Sequence, residues 1–157
     1  MDGSKVVIRG KSAGGYAVLR ALTEYPDMFK AGSSYYGIGN LATLAETTHK
    51  FEKHYTDRLV GEPYDSETGS RQESQYQLRS PSNHMDKVTA AMIIFQGEDD
   101  KIVPLEVAQE IVDNLDANGV EYQYIKYPNE GHGFRSAATN IDAWGRELAF
   151  YQSILNL

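Results

Sequence analysis

A glycine-rich turn near the start of the chain joins a predicted strand directly to a predicted helix. Residues 6–8 are apolar and all β-branched, and Gly10 closes the run, which is typical of a strand buried on both faces. From Ser12 onward a helical pattern begins and continues until Pro26, with an apolar face of Tyr16, Val18, Leu19 and Leu22. A strand, a tight turn and a helix in direct succession favour an α/β fold.

Strands and helices continue to alternate along the rest of the chain. The further predicted strands are residues 31–36, 92–95 and 122–127. A helix after the third strand is expected to end at the Asn118-Gly119 pair, and Thr139 is expected to cap the last helix. Residues 40–82 read as a helical and loop insertion within one domain, residues 1–157. The alternation predicts a mostly parallel sheet with helices on both faces.

Composition excludes several classes of function. The chain has 157 residues and a formal net charge of −7, with no cluster of Lys and Arg, so nucleic-acid binding is not expected. There is no cysteine, which rules out disulfides, thiolate catalysis and Cys-ligated zinc, and fits a reducing, cytoplasmic setting. No run of about 18 apolar residues is present, and charged residues come too early for a signal peptide, so no membrane association is expected.

The turn itself has the pattern G-x-S-x-G: Gly10, Lys11, Ser12, Ala13, Gly14. This is the pattern of a nucleophile elbow, where a strained turn lifts a serine oxygen off the sheet and flanking glycines let the backbone pass closely. Taken alone, the five residues fit an ordinary glycine-rich turn or a phosphate-binding turn equally well. The rest of the chain has to decide between these interpretations.

Two later segments supply the partners that a serine nucleophile needs, in the expected order. Three carboxylates, Glu98, Asp99 and Asp100, follow the strand at 92–95, and His132 stands between two glycines after the strand at 122–127. A parallel-sheet hydrolase takes its acid and its histidine from loops at the carboxyl ends of later strands, in the order serine, acid, histidine. The agreement of three positions in order and context favours an acyl-transfer site.

Four stretches of the chain resemble the catalytic domain of the prolyl oligopeptidase family, nearest to its acylaminoacyl-peptidase and dipeptidyl-peptidase-like bacterial members. They are residues 9–16 around the serine, 79–84, 96–104 around the acids and 130–134 around the histidine. The resemblance implies an α/β-hydrolase fold and a serine peptidase acting on a peptide or acyl substrate without a cofactor. It also implies Asp100 as the acid, because the family aspartate stands three residues after the glycine.

Acyl-transfer chemistry then predicts a role for each residue. Ser12 would attack the carbonyl, His132 would take its proton and pass it to the leaving group, and Asp100 would orient the imidazole. The backbone N–H of Ala13 would be one donor of the oxyanion hole. Tyr35 and Tyr36, at the end of the second strand, are read either as the border of a substrate pocket or as packing aromatics.

Other polar residues are expected to be structural or exposed to solvent. No spacing indicates a metal site among His49, His54 and His84. The carboxylates predicted to form the solvent-exposed face of a helical stretch are Glu46, Glu52 and Asp57. No metal or other cofactor is therefore expected.

The resemblance also implies several strands before the nucleophile strand, whereas nine residues precede Gly10 here. The chain is therefore expected to be the C-terminal part of the domain, with the strand at 6–8 left at a bare sheet edge. Such an edge predicts a homo-oligomer formed through that strand. Two alternatives to a peptidase remain open: a truncated, non-catalytic module that associates with other chains, and an esterase of the same fold.

Overall fold

A computed structural model describes residues 3–47, 53–65, 71 and 73–157. The described residues contain one four-stranded sheet, in which all strands are parallel and lie in chain order. The strands are β1 Val7–Lys11, β2 Ala31–Tyr35, β3 Ala91–Gly97 and β4 Tyr122–Tyr127. The predicted parallel sheet is confirmed, and all four strands point their carboxyl ends toward the same edge.

Helices cover both faces of this sheet, as predicted. The α-helices among the described residues are α1 Ala13–Glu24, α2 Leu41–Thr47, α3 Lys53–Val60, α4 Gln75–Arg79, α5 Leu105–Ala117 and α6 Ala137–Leu155. Short 3₁₀ turns form at Gly3–Lys5 and Pro81–Lys87. On one face α1 and α5 pack over an aliphatic core, and on the other α6 packs over a core rich in aromatic rings.

Strand β3 contributes to both cores, because it lies inside the sheet. Met92 and Ile94 point into the aliphatic core, whereas Ile93 and Phe95 point into the aromatic one. Every residue of β3 is buried, which is why its sequence is a continuous apolar run and does not alternate with polar residues.

Two sequence predictions at the ends of elements are wrong. Strand β1 runs from Val7 through Gly10 to Lys11, so Gly10 lies inside the strand and does not close it. The strand is only half-buried, because it pairs with β2 on one side and is an edge in the described structure. At the other end of the chain, Ser136 caps α6 by accepting a hydrogen bond from the N–H of Thr139.

The described part of the segment predicted as an insertion contains three helices. Helices α2 to α4 form a small third core of Leu41, Ala45, Val60 and Tyr76. The prediction that Asp57 lies on a solvent-exposed face is wrong. Its carboxylate accepts hydrogen bonds from the Tyr76 hydroxyl at 2.7 Å and from the Tyr64 N–H at 2.9 Å. It therefore holds α3 against α4 instead of lining a solvated face.

The remaining polar residues of this region bear on the other predictions. Glu46 is exposed, and His49 and Glu52 lie outside the described residues. The ring of His84 lies 2.9 Å from the carbonyl of Leu78. Within the described residues, no three acidic or histidine side chains gather to hold a metal ion. The helices of that same part are all too short or too polar to cross a bilayer.

We predict that the chain self-associates through the free side of β1, whose outward backbone donors and acceptors have no sheet partner in the described structure. Light scattering at micromolar concentration should give a mass above that of a monomer. Val7→Lys should lower this mass, because it adds a charge beside the edge, whereas Gln109→Lys at an exposed position of α5 should not.

Circular dichroism would show whether Val7→Lys still folds, because Val7 also packs partly against the aromatic core. A monodisperse wild-type monomer in which β1 is protected from hydrogen exchange would contradict the prediction.

Candidate active site

Ser12 occupies a sharp turn between β1 and α1. Its φ of +54° is in the left-handed region that non-glycine residues rarely adopt, as a nucleophile elbow requires. The turn is held by a hydrogen bond from the Ser12 N–H to the Tyr35 carbonyl at 2.9 Å, and by one from the Tyr16 N–H to the Ser12 carbonyl at 3.0 Å. The serine side chain is therefore placed at the carboxyl end of β1.

Close backbone contact, more than turn geometry, explains the glycines around Ser12. A Cβ at Gly10 would lie 2.1 Å from the carbonyl oxygen of Gly14, and one at Gly15 would lie 2.6 Å from the Cα of Gly37. Gly14 itself has no described atom within 4 Å of such a Cβ. The expectation that both flanking glycines need to be small is therefore correct for Gly10 and wrong for Gly14, whereas Gly15 is needed.

Asp100 lies in the loop after β3 with its carboxylate fully buried. Oδ1 accepts hydrogen bonds from the N–H groups of Ile102 and Val103, each at 2.9 Å. Burial alone would raise the pKa of the Asp100 carboxyl, but hydrogen bonds from His132 and from the Val103 and Ile102 N–H groups hold that pKa below its ordinary value. The group is therefore a carboxylate at neutral pH.

The imidazole of His132 lies between the serine and the aspartate. Its Nε2 is 2.7 Å from Ser12 Oγ, and its Nδ1 is 2.9 Å from Asp100 Oδ2. The three side chains come from the carboxyl ends of β1, β3 and β4 and form one continuous hydrogen-bonded chain. The structure thus brings the three predicted residues together.

The other two carboxylates of the acid loop, those of Glu98 and Asp99, are exposed to solvent. Their backbone groups tie the loop to its neighbours, with the Glu98 N–H donating to the Tyr127 carbonyl at 3.0 Å and the Asp99 N–H to the Glu130 carbonyl at 2.9 Å. Glu98 and Asp99 therefore stabilise the turn, and Asp100 alone of the three carboxylates contacts His132.

Tyr35 and Tyr36 belong to the aromatic core, and neither lines the cavities beside Ser12 and His132. The Tyr35 side chain is fully buried, with its ring stacked on Phe95 at 4.4 Å. Tyr36 is also buried, and its ring centroid lies 5.0 Å from that of His132. This burial favours the packing interpretation for both, and the Tyr36 ring contacts the imidazole edge to face.

A mostly apolar cavity of about 380 Å³ opens beside Ser12 instead. Ser12, Ala13 and Tyr16 line it at the elbow, α2 and the residues before it add Ile38 and Leu44, and Ile102 lines it from the acid loop. The sequence prediction missed this cavity because it assigned α2 and α3 to an insertion. Their apolar residues at 41, 44 and 59 were the available signal.

The sequence prediction also missed Glu147, a buried carboxylate of α6. It accepts two hydrogen bonds of 2.9 Å from the guanidinium of Arg9 and one of 2.9 Å from the Tyr35 hydroxyl. Burial would raise the pKa of Glu147, but these donors, Arg9 foremost, hold that pKa below its ordinary value. The signal was a glutamate on the same helical face as Ala143, Phe150 and Tyr151.

Comparisons with known proteins point to one family. The model of the prolyl oligopeptidase family matches residues 1–157. The chain is 31% identical to dipeptidyl peptidase family member 6 of Caenorhabditis elegans over 155 residues, which are 97% of this chain and 20% of that protein. It is 32% identical to dipeptidyl aminopeptidase BIII of Pseudoxanthomonas mexicana over 87% of this chain and 20% of that protein.

Among solved structures, a puromycin-hydrolyzing peptidase of Mycobacterium tuberculosis superimposes with a TM-score of 0.88 at 37% identity, covering 97% of this chain and 22% of that one. The chain thus spans about a fifth of the length of these relatives. The described sheet and helices are part of an α/β-hydrolase fold, and the chain belongs to the prolyl oligopeptidase family.

Proposed function

We propose that this chain carries the catalytic residues of a serine peptidase that cleaves peptide or aminoacyl bonds through an acyl-enzyme. The observation that carries the proposal is the hydrogen-bonded chain from Ser12 through His132 to a buried Asp100 carboxylate. Nucleophile, base and orienting acid at these distances are the arrangement that activates a serine hydroxyl. Family membership supports the same class of reaction.

In this mechanism Ser12 Oγ attacks the substrate carbonyl while His132 Nε2 takes the hydroxyl proton. The tetrahedral intermediate collapses when His132 returns that proton to the leaving amine, and water then repeats the sequence to release the acid. Asp100 stays ionised throughout, since its pKa is low, and its Oδ2 accepts the Nδ1–H that fixes the imidazole tautomer.

The oxyanion of the intermediate requires a hydrogen-bond donor near Ser12. Ala13 is the first residue of α1, so its N–H has no acceptor within the helix. The N-terminus of α1 also carries a partial positive charge that favours a negative oxygen. We therefore assign the Ala13 N–H as one donor of the oxyanion hole.

The apolar cavity beside Ser12 supports a side-chain preference on the acyl side of the cleaved bond. Its volume lies within the range of small-molecule sites, roughly 300–1,000 Å³, and its walls are chiefly aliphatic. A similar structure, at 37% identity, is that of a puromycin-hydrolyzing peptidase. From the apolar walls of the cavity we propose that this chain prefers an apolar or aromatic residue at that position.

A fluorophosphonate probe tests the activated nucleophile directly. We expect it to label the wild-type chain at Ser12, and we expect Ser12→Ala to abolish the labelling, because only a hydroxyl with a neighbouring base reacts at a useful rate. Ser153→Ala, at an exposed serine of α6, should label as the wild type does.

A folded chain that does not label would favour the alternative of a non-catalytic, associating module. If the chain labels, the relative turnover of p-nitrophenyl esters and aminoacyl amides separates a peptidase from an esterase.

Replacing Asp100 by Asn should lower kcat by about three to four orders of magnitude, since the amide favours the wrong imidazole tautomer. The matched change Asp99→Asn should have little effect, because that side chain is exposed and Asp100 holds the histidine. Steady-state hydrolysis of one aminoacyl p-nitroanilide by both variants measures the difference. Similar losses in the two variants would overturn the assignment of the acid.

Filling the apolar cavity should change specificity. Leu44→Trp adds bulk to a half-buried wall, so the ratio of kcat/KM for a Phe p-nitroanilide to that for an Ala p-nitroanilide should fall by roughly tenfold or more. Leu148→Trp on the exposed face of α6 is the control and should leave the ratio unchanged. A ratio that Leu44→Trp does not alter would show that the acyl side chain binds elsewhere.

A further inference from the structure

Glu130 lies two residues before His132, and its side chain closes the loop that carries the imidazole. One carboxylate oxygen accepts the N–H of Arg135 at 2.8 Å, and the other accepts the N–H of Ser136 at 3.0 Å. Glu130 is only 4% exposed. Its carboxylate thus spans the histidine loop, residues 130–136, from one end to the other.

The main chain of Glu130 also contacts the loop that carries Asp100. Its carbonyl accepts the Asp99 N–H at 2.9 Å. The two backbones are so close that a Cβ at Gly97 would lie 2.3 Å from that same oxygen. One residue therefore ties the acid loop through its carbonyl and the histidine loop through its side chain.

The histidine loop needs such a tie, because part of it lies against open space. A polar cavity of about 540 Å³ borders Gly131, His132 and Gly133, and Lys101 also lines it. Gly133 has a φ of +93°, a conformation that costs glycine little. Aromatic packing comes from Tyr36, whose ring contacts those of His132 and Phe134, and from Tyr127, which contacts Phe134.

We propose that Glu130 is a positioning residue whose carboxylate holds the histidine loop so that His132 lies between Ser12 and Asp100. The proposal rests on the function proposed above, since the position of the imidazole matters most if His132 is the base. Glu130 touches no reacting atom and acts through the loop.

The two oxygens of Glu130 need to be acceptors for this role. Burial would raise the pKa of the Glu130 carboxyl, but hydrogen bonds from the Arg135 N–H, the Thr139 hydroxyl and the Ser136 N–H hold that pKa below the ordinary 4.5. The residue is therefore ionised at neutral pH. Glutamine has the same shape but presents an NH₂ group where one backbone N–H needs an acceptor.

Glu130→Gln should lower kcat roughly 10- to 100-fold while KM changes little, because a displaced imidazole slows the chemical steps without removing substrate contacts. Glu121→Gln is the matched control, because it makes the same chemical change at an exposed glutamate just before β4. This control should leave both the melting temperature and kcat close to those of wild type, with kcat within about twofold. If Glu130→Gln does not fold, Glu130→Asp, which keeps the charge on a shorter side chain, should give a smaller loss of kcat.

A second measurement separates the positioning role from the proposed function itself. The proton between His132 Nδ1 and Asp100 should give a downfield proton NMR signal in the wild type and in Glu121→Gln, and this signal should be lost or shifted in Glu130→Gln. The signal does not require turnover, so it tests the positioning role of Glu130 even if the wild-type chain proves inactive. An unchanged signal together with an unchanged kcat in folded Glu130→Gln would overturn the proposal.

The pH dependence of stability provides an independent check that the carboxylate is the group responsible. Because the pKa of Glu130 is lower in the folded than in the unfolded chain, its ionised form stabilises the fold above pH 4.5. That contribution is lost as pH falls through the folded pKa. The melting temperatures of wild type and Glu130→Gln should therefore differ most near neutral pH and converge in acid, and a constant difference would argue against an ionised Glu130.

Discussion

The site depends on how closely backbone segments can approach each other at the carboxyl edge of the sheet. Gly10 lets β1 meet the first turn of α1, and Gly97 lets the end of β3 meet the backbone of Glu130. Any side chain at either position would push these segments apart by more than the tolerance of a hydrogen bond. Serine, aspartate and histidine reach one another because the backbones beneath them are already in contact.

The described residues include three buried carboxylates, each stabilised by a different set of hydrogen-bond donors. Each loses its hydration on burial, and hydrogen bonds from donors fixed by the fold compensate for that loss. Asp100 uses two backbone N–H groups and the imidazole, Glu130 uses the backbone of its own loop, and Glu147 uses Arg9 and Tyr35. Their pKa values are all held low, so the site is organised by fixed negative charges that do not titrate near neutral pH.

Much of the fold and the core of the site could be predicted, because short sequence patterns reveal the strands and the residues that follow each strand. Ser12, Asp100 and His132 each come within five residues of the end of a predicted strand. The features that the sequence did not predict depend on contacts between residues distant in sequence. Arg9 and Glu147 are 138 residues apart, and no local pattern pairs them. The cavity wall likewise comes from α2 and α3, and their apolar residues could not be assigned to a cavity before both helices were seen to pack beside the elbow.

The nucleophile and the base are consequently held by different kinds of contact. The Ser12 N–H donates to the carbonyl of Tyr35, whose hydroxyl is anchored on Glu147, so the elbow depends on the docking of α6 against the sheet. His132 lies in a short loop that the Glu130 carboxylate closes, and its ring packs on Tyr36. Loosening α6 should therefore disturb Ser12 together with global stability, whereas loosening the loop should move the imidazole while the sheet stays intact. Local and global contributions to this site are thus separable by mutation.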